Sequence, residues 1–146
     1  GSFPGTLEEK MAPWAAPVVD VLKKYMGGAY ENAVRRGAII VAPFETMRGS
    51  SFSDAFVIMD EAQNTTPDEM KMFTTRIGEN CRIVINGDIK QSDVRHTSGL
   101  ATIIDLSQKY NLPVPVIEFG IEDVVRSKEC KMWIEAFEKS QPMVAP

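Results

Sequence analysis

One histidine and two cysteines in 146 residues leave little material for a zinc centre, which needs four such ligands at short spacings. Cys81 and Cys130 stand far apart and read as two reduced thiols rather than a disulfide framework. No apolar run approaches the roughly 20 residues that cross a bilayer. The N-terminus lacks the basic-then-apolar order of a secretory leader. An excess of positive charge is missing as well: 16 Lys and Arg face 20 Asp and Glu, for a net charge of −4. A strong nucleic-acid binder has the opposite balance. No internal repeat or low-complexity tract occurs. These absences predict a cytoplasmic protein without a membrane partner.

What is present is ordinary for a globular domain, with 44% apolar and 25% charged residues. A single domain over 1–146 is expected. Gly1-Ser2 reads as a cloning scar, the abrupt start at Phe3-Pro4-Gly5 suggests an excised fragment, and residues 141–146 read as a loose tail.

Helical and strand patterns alternate along the chain. A short helical stretch is expected over Leu7–Met11. A second helix is expected to open at Pro13, where a missing N–H costs nothing, and to stop at Gly27-Gly28. Glu31–Arg36 predicts another helix, ended by Gly37, and Ala38–Ala42 a strand. Ala55–Met59 is five apolar residues without alternation, the pattern of a parallel strand buried on both faces. Thr66-Pro67-Asp68-Glu69 is a capping box before a helix reaching about Arg76. Arg82–Asn86 predicts the next buried strand and Ser98–Lys109 a helix with Leu100, Ile103, Ile104 and Ser107 inward. Val114–Phe119 predicts a further strand, limited by Pro115. Glu122–Lys139 predicts a last helix, with Val125, Met132, Trp133 and Phe137 on its apolar side. The alternation implies an α/β fold with a mainly parallel sheet flanked by helices. In such sheets functional groups collect beyond the carboxyl ends of the strands.

Two such ends carry the chemistry. Phe56-Val57-Ile58-Met59-Asp60-Glu61 is a Walker B pattern. A buried strand is a rigid mount. Asp60 at its tip can hold Mg²⁺ through water, and Glu61 can polarise the water that attacks a γ-phosphate. Adjacent strand positions point apart, which suits two separate tasks. The second tip is Gly87-Asp88-Ile89-Lys90-Gln91. Its glycine permits a tight turn, and Gln91 offers an amide to phosphate or water. Either tip alone is as well explained by a capping acid or a Gly-Asp turn; the two together, with Gln63 between them, form a more specific constellation.

On these residues the sequence resembles the PhoH family of P-loop ATPases, itself similar to the first motor domain of superfamily-one helicases. The resemblance runs from about Phe3 to Arg126. It includes Phe3–Met11, Met47-Arg48-Gly49, Asp60–Pro67, Thr75–Gly78, Gly87-Asp88, Gln91 and Asp123–Arg126. It implies a RecA-like core that binds and hydrolyses ATP with Mg²⁺, with RNA as a candidate partner and a homo-oligomeric state. By position it implies Asp60 as the metal-side acid and Glu61 as the general base. Gln63 and Gln91 become sensors of the γ-phosphate, and Gly87 and Asp88 part of the nucleotide-binding loop. Arg48, Arg76 and Arg126 can each bind phosphate. Arg126 is the preferred arginine finger, reaching a neighbouring subunit. Arg95 and His96 read as solvated loop residues.

The sequence departs from that family in one large respect. No Gly-x-x-x-x-Gly-Lys-Ser/Thr loop occurs, so the phosphate cradle and its lysine are missing. Ser50 also stands where the family has a second arginine. The expectation is an N-terminally truncated core, weak or inactive alone, that rearranges, pairs its exposed sheet edge with another copy, or is marginally stable. The competing expectations are a nucleotide-independent binding or assembly module and, less favoured, a nuclease using Asp60, Glu61 and Asp88 with metal.

Overall fold

Two parallel strands joined by one helical crossover carry both acidic tips to the same end of a small sheet. The computed structural model describes residues 7–47, 49, 51–91 and 98–140, with side chains from Ala15 onward apart from Glu45. In chain order the elements are α1 (Leu7–Met26), α2 (Ala29–Arg35), β1 (Ala55–Met59), α3 (Pro67–Thr74), β2 (Cys81–Ile85), α4 (Gly99–Lys109) and α5 (Lys128–Ser140). Short 3₁₀ turns occupy Phe44–Met47, Ala62–Asn64 and Ile121–Asp123. The α/β class with a parallel sheet flanked by helices is as expected.

The ladder pairs Ala55 with Cys81 and ends with Met59 opposite Ile85. One step before it, Asp54 and Asn80 both take left-handed φ values, 49° and 51°. Asn80 Nδ2 donates to Asp54 Oδ1 at 2.9 Å, closing that end of the sheet.

α3 forms where the capping box predicts it. Thr66 Oγ1 accepts the Glu69 N–H at 3.2 Å, and Glu69 Oε2 accepts the Thr66 N–H at 2.8 Å. Pro67 opens the helix, where its missing donor is harmless. α3 buries Met70 and Phe73, and Phe73 meets the Phe52 ring edge-on at 5.4 Å. α4 starts on Ser98, whose Oγ accepts the Ala101 N–H at 3.1 Å. It packs against α3 and the Ala62–Asn64 turn. The core is Phe52, Met59, Ala62, Met70, Phe73 and Leu100. Val57, Ile83, Ile85, Ile103 and Ile104 pack against it, so the inward face predicted for α4 is correct, and Ser107 is buried with it.

Several expectations fail, each for a physical reason. β1 is not buried on both faces: Met59 points into the core, while Phe56 is 66% and Ile58 50% exposed. Among the described residues the sheet has two strands, and Phe56, Ile58 and Val84 on one of its faces are left uncovered. Ala38–Ala42 is not a strand, because its first donors are spent closing α2. Gly37 N–H reaches Val34 O at 3.0 Å and Ala38 N–H reaches Ala33 O at 2.8 Å. This is a Schellman closure around a left-handed Gly37, with φ 74°. Val114–Phe119 is extended but joins no ladder among the described residues. Pro113 and Pro115 remove two donors, and a strand without a partner gains no ladder bonds.

The first two predicted helices are one, α1, which continues through Pro13 and Pro17. The last helix starts at Lys128, not Glu122, because Ile121–Asp123 closes into its own turn. Met132, Trp133 and Phe137, predicted for its apolar side, are exposed, Trp133 at 61% and Phe137 at 67%. The tail at 141–146 lies outside the described residues. No described helix is long and apolar enough to cross a membrane.

Candidate active site

The site is built from the turn after β1 and the turn after β2. β1 ends at Met59, and Glu61 adopts a left-handed conformation with φ 53° and ψ 39°. That reversal bends the chain into the Ala62–Asn64 turn and lets Asp60 and Glu61 diverge. Asp60 is half-buried, and Glu61 is exposed. Asp60 Oδ1 accepts two hydrogen bonds, from the Glu61 N–H at 3.0 Å and from Asn86 Nδ2 at 2.9 Å.

Gln63 ties the two tips together. It is 2% exposed. Its Nε2 donates to Glu61 Oε2, and its Oε1 accepts the Asp88 N–H at 3.1 Å. Both ends of the amide are therefore committed within the protein. A buried amide without such partners would cost of order 1–3 kcal/mol. Gly87 makes the approach possible: a β-carbon there would lie 2.5 Å from Gln63 Oε1 and 3.1 Å from the Ala62 nitrogen.

The second tip turns on Asp88. Its Oδ1 accepts the Lys90 N–H at 2.8 Å, and its carbonyl accepts the Gln91 N–H at 3.2 Å. Gln91 is thereby held at the rim with its side chain exposed. Lys90 Nζ donates to Glu138 Oε1 of α5 at 2.9 Å. That bond and the Glu138 charge hold the Lys90 ammonium above its ordinary pKa, aided by the more distant Asp88 and Glu118.

The structure thus brings together Asp60, Glu61, Gln63, Gly87 and Asp88, with Gln91 at the margin. Arg126 is exposed, between the Ile121–Asp123 turn and α5, and among the described residues it makes no hydrogen bond or ion pair with that group. Arg76 lies at the far end of the sheet, where its carbonyl accepts the Phe52 N–H at 2.8 Å. Arg48, Arg95 and His96 lie outside the described residues. Sequence reasoning missed Asn86. The signal was available in the register: Met59 opposes Ile85, so Asn86 opposes Asp60.

The donor set suits Mg²⁺ in the form in which it accompanies a nucleotide. Such an ion takes one or two carboxylates, keeps several waters and completes its shell with phosphate oxygens. Asp60 fits this: both of its hydrogen bonds fall on Oδ1, and Oδ2 carries none among the described residues. No group of three or more His, Cys, Asp or Glu side chains among the described residues could cage a metal unaided.

Comparison with known proteins decides the family. The model of the PhoH-like protein family matches residues 1–138. The chain belongs to the PhoH-like family. It is 42% identical over 142 residues to "Protein PhoH" of Escherichia coli K12, covering 94% of this chain and 40% of that protein. It is 41% identical to a PhoH-like protein of Bacillus subtilis over 95% of this chain and 44% of that protein. A PhoH-like protein of Synechocystis is 36% identical over the whole of this chain and 45% of its own length. The chain thus spans less than half the length of the PhoH-like relatives it matches.

Proposed function

We propose that this chain is the metal- and water-handling part of a Mg²⁺-dependent, ATP-binding and ATP-hydrolysing PhoH-like protein. The observation that carries the reading is the Gln63 bridge, which fixes the Asp60-Glu61 tip and the Asp88 tip in one cluster. Asp60 would hold Mg²⁺ through Oδ2 and intervening water. The chemistry such an ion would supply there is neutralisation of phosphate charge on a bound nucleotide. Glu61 keeps Oε1 for the proton of an attacking water while Gln63 holds Oε2, so the base is aimed and not free to swing. Gln91 offers its amide at the rim. The phosphate-cradling loop is not in this sequence, so little nucleotide affinity is expected of this chain alone.

RNA and a second copy of the chain are the proposed partners. Arg126 is available to reach a neighbouring subunit, since it has no partner in this site. Two unpaired thiols, Cys81 and Cys130, support a cytoplasmic setting.

Calorimetry tests the reading. Mg·ATP is titrated into this chain and into a version extended to include the loop. The extended protein should bind, and Glu61→Gln within it should keep binding while turnover drops by about 10² or more. Undiminished turnover sinks the assignment of Glu61. A binding or assembly module is the second reading, favoured by the exposed apolar faces of the sheet and α5. It gains if neither protein binds nucleotide.

A further inference from the structure

We infer that Asn86 is a positioning residue for the Asp60 carboxylate, fixing its plane so that one oxygen is left for a metal ion. The inference rests on the proposed role of Asp60 as the metal-side acid. A carboxylate at a strand tip turns easily about its last torsion, which is broad and two-fold. Here two donors converge on the same oxygen. Asn86 Nδ2 and the Glu61 N–H both reach Oδ1, at 2.9 and 3.0 Å. Turning the carboxylate plane away from these donors would break both bonds, so the plane is fixed with one oxygen bonded and the other without a hydrogen bond among the described residues.

Asn86 is well placed for this because its backbone grips the same turn. Its N–H donates to Met59 O at 2.9 Å, and its carbonyl accepts the Ala62 N–H at 3.0 Å. The side chain therefore starts from a fixed base. Its partner lies directly across the sheet, since Met59 opposes Ile85 and the next pair along is Asp60 with Asn86. Groups that orient a metal-binding carboxylate from behind typically change metal affinity 10–100-fold when removed.

The competing explanation is that Asn86 only clasps the sheet. The protein contains its own control for that. Asn80 bonds Asp54 at 2.9 Å with the same Asn-to-Asp geometry, one step before the ladder, at the end away from Glu61. Loss of that clasp should loosen the sheet without touching the tip.

The test uses the version extended to include the phosphate-cradling loop, loaded with ATP, and Mn²⁺ as the probe. Mn²⁺ is read by paramagnetic broadening of the Asp60, Glu61 and Asp88 amide signals, with thermal melting followed in parallel. Asn86→Ala should weaken Mn²⁺ binding about tenfold. Asn86→Leu, which keeps side-chain volume, should do the same and decides the matter if the alanine variant does not fold. Asn86→Ser, which restores a donor, should recover part of the affinity. Asn80→Ala should lower the melting temperature and leave Mn²⁺ affinity unchanged. Parent-like binding by Asn86→Ala or Asn86→Leu overturns the inference, and so does an equal loss in Asn80→Ala. Asp60→Ala separates the two levels. If Mn²⁺ binding survives that change, or is undetectable in the unsubstituted extended version, the metal reading falls and the inference falls with it.

Discussion

Gly87 and Gln63 approach so closely that a β-carbon on residue 87 would lie 2.5 Å from Gln63 Oε1. Leu100 Cδ2, at 2.9 Å, blocks the neighbouring direction. Gly87→Ala must therefore push Gln63 off the Asp88 N–H or displace α4. Overpacking of this kind costs about 1–3 kcal/mol. Urea denaturation should show a lower midpoint with an unchanged slope. A variant as stable as the parent would mean that Gln63 has another resting place.

Gln63 itself should be intolerant for a different reason. Gln63→Leu keeps the volume but orphans the Asp88 N–H, at about 1–3 kcal/mol. Gln63→Glu instead sets a second carboxylate against Glu61 in a nearly closed space. Burial and like charge raise the pKa of such a group above the roughly 4.3 of a free glutamate. The folded state then binds more protons than the unfolded one, so stability is kept at low pH and falls as pH rises through that range. Chemical denaturation at pH 4 and pH 7 measures the difference; a pH-independent loss would count against a strained carboxylate pair.

The α3 capping box gives a local prediction. Thr66→Ala removes the acceptor for the Glu69 N–H, and losses at such caps are about 1 kcal/mol. Because each side chain serves the other's backbone, Thr66→Ala and Glu69→Ala should be non-additive in a double-mutant cycle. Additive losses would show two independent bonds.

The uncovered side of the sheet predicts behaviour in solution. Phe56, Ile58 and Val84 are 66%, 50% and 46% exposed on strands whose outer edges are unpaired among the described residues. Such a surface associates. Light scattering on the isolated chain should give a mass that rises with concentration, and Phe56→Thr with Ile58→Thr should reduce it. A strictly monomeric parent would show that the face is tolerated in water.

The Lys90–Glu138 bond predicts a small alkaline effect. The folded pKa of Lys90 lies above 10.5, raised first by the hydrogen bond it donates to Glu138 and then by the Glu138 charge. The attraction is therefore intact below 10.5 and fades as pH climbs through the raised value. Both groups face solvent, so added salt should weaken it too. Glu138→Gln and the parent should differ in melting temperature at neutral pH and low salt and converge in strong alkali.

The parts of this fold that could be read from sequence are those fixed by nearby residues. Thr66 and Glu69 cap α3 through bonds spanning three positions, and Ser98 opens α4 the same way. The apolar runs of β1 and β2 end at the acids that form the site. What could not be read depends on distant partners. Ala38–Ala42 and Val114–Phe119 have the composition of strands, but composition cannot supply a neighbour. The one-sidedness of β1 is also a property of the assembled layers, since Phe56 and Met59 look alike until helices cover one face. Asp60, Glu61, Gln63, Asp88 and Gln91 were visible as types at a spacing. Asn86 was not, because its importance lies in the inter-strand register, which no local pattern states.

The left-handed turn at Glu61 has a consequence for which residues position 61 can accept. A β-branched side chain there would be forced into a conformation it strongly disfavours, whatever its chemistry. Glutamine, with the same unbranched β-carbon, would not. Variation at this position is therefore filtered twice, once by backbone shape and once by proton affinity. A library of substitutions at 61 should separate into variants that lose the fold of the turn and variants that keep it but lose the base.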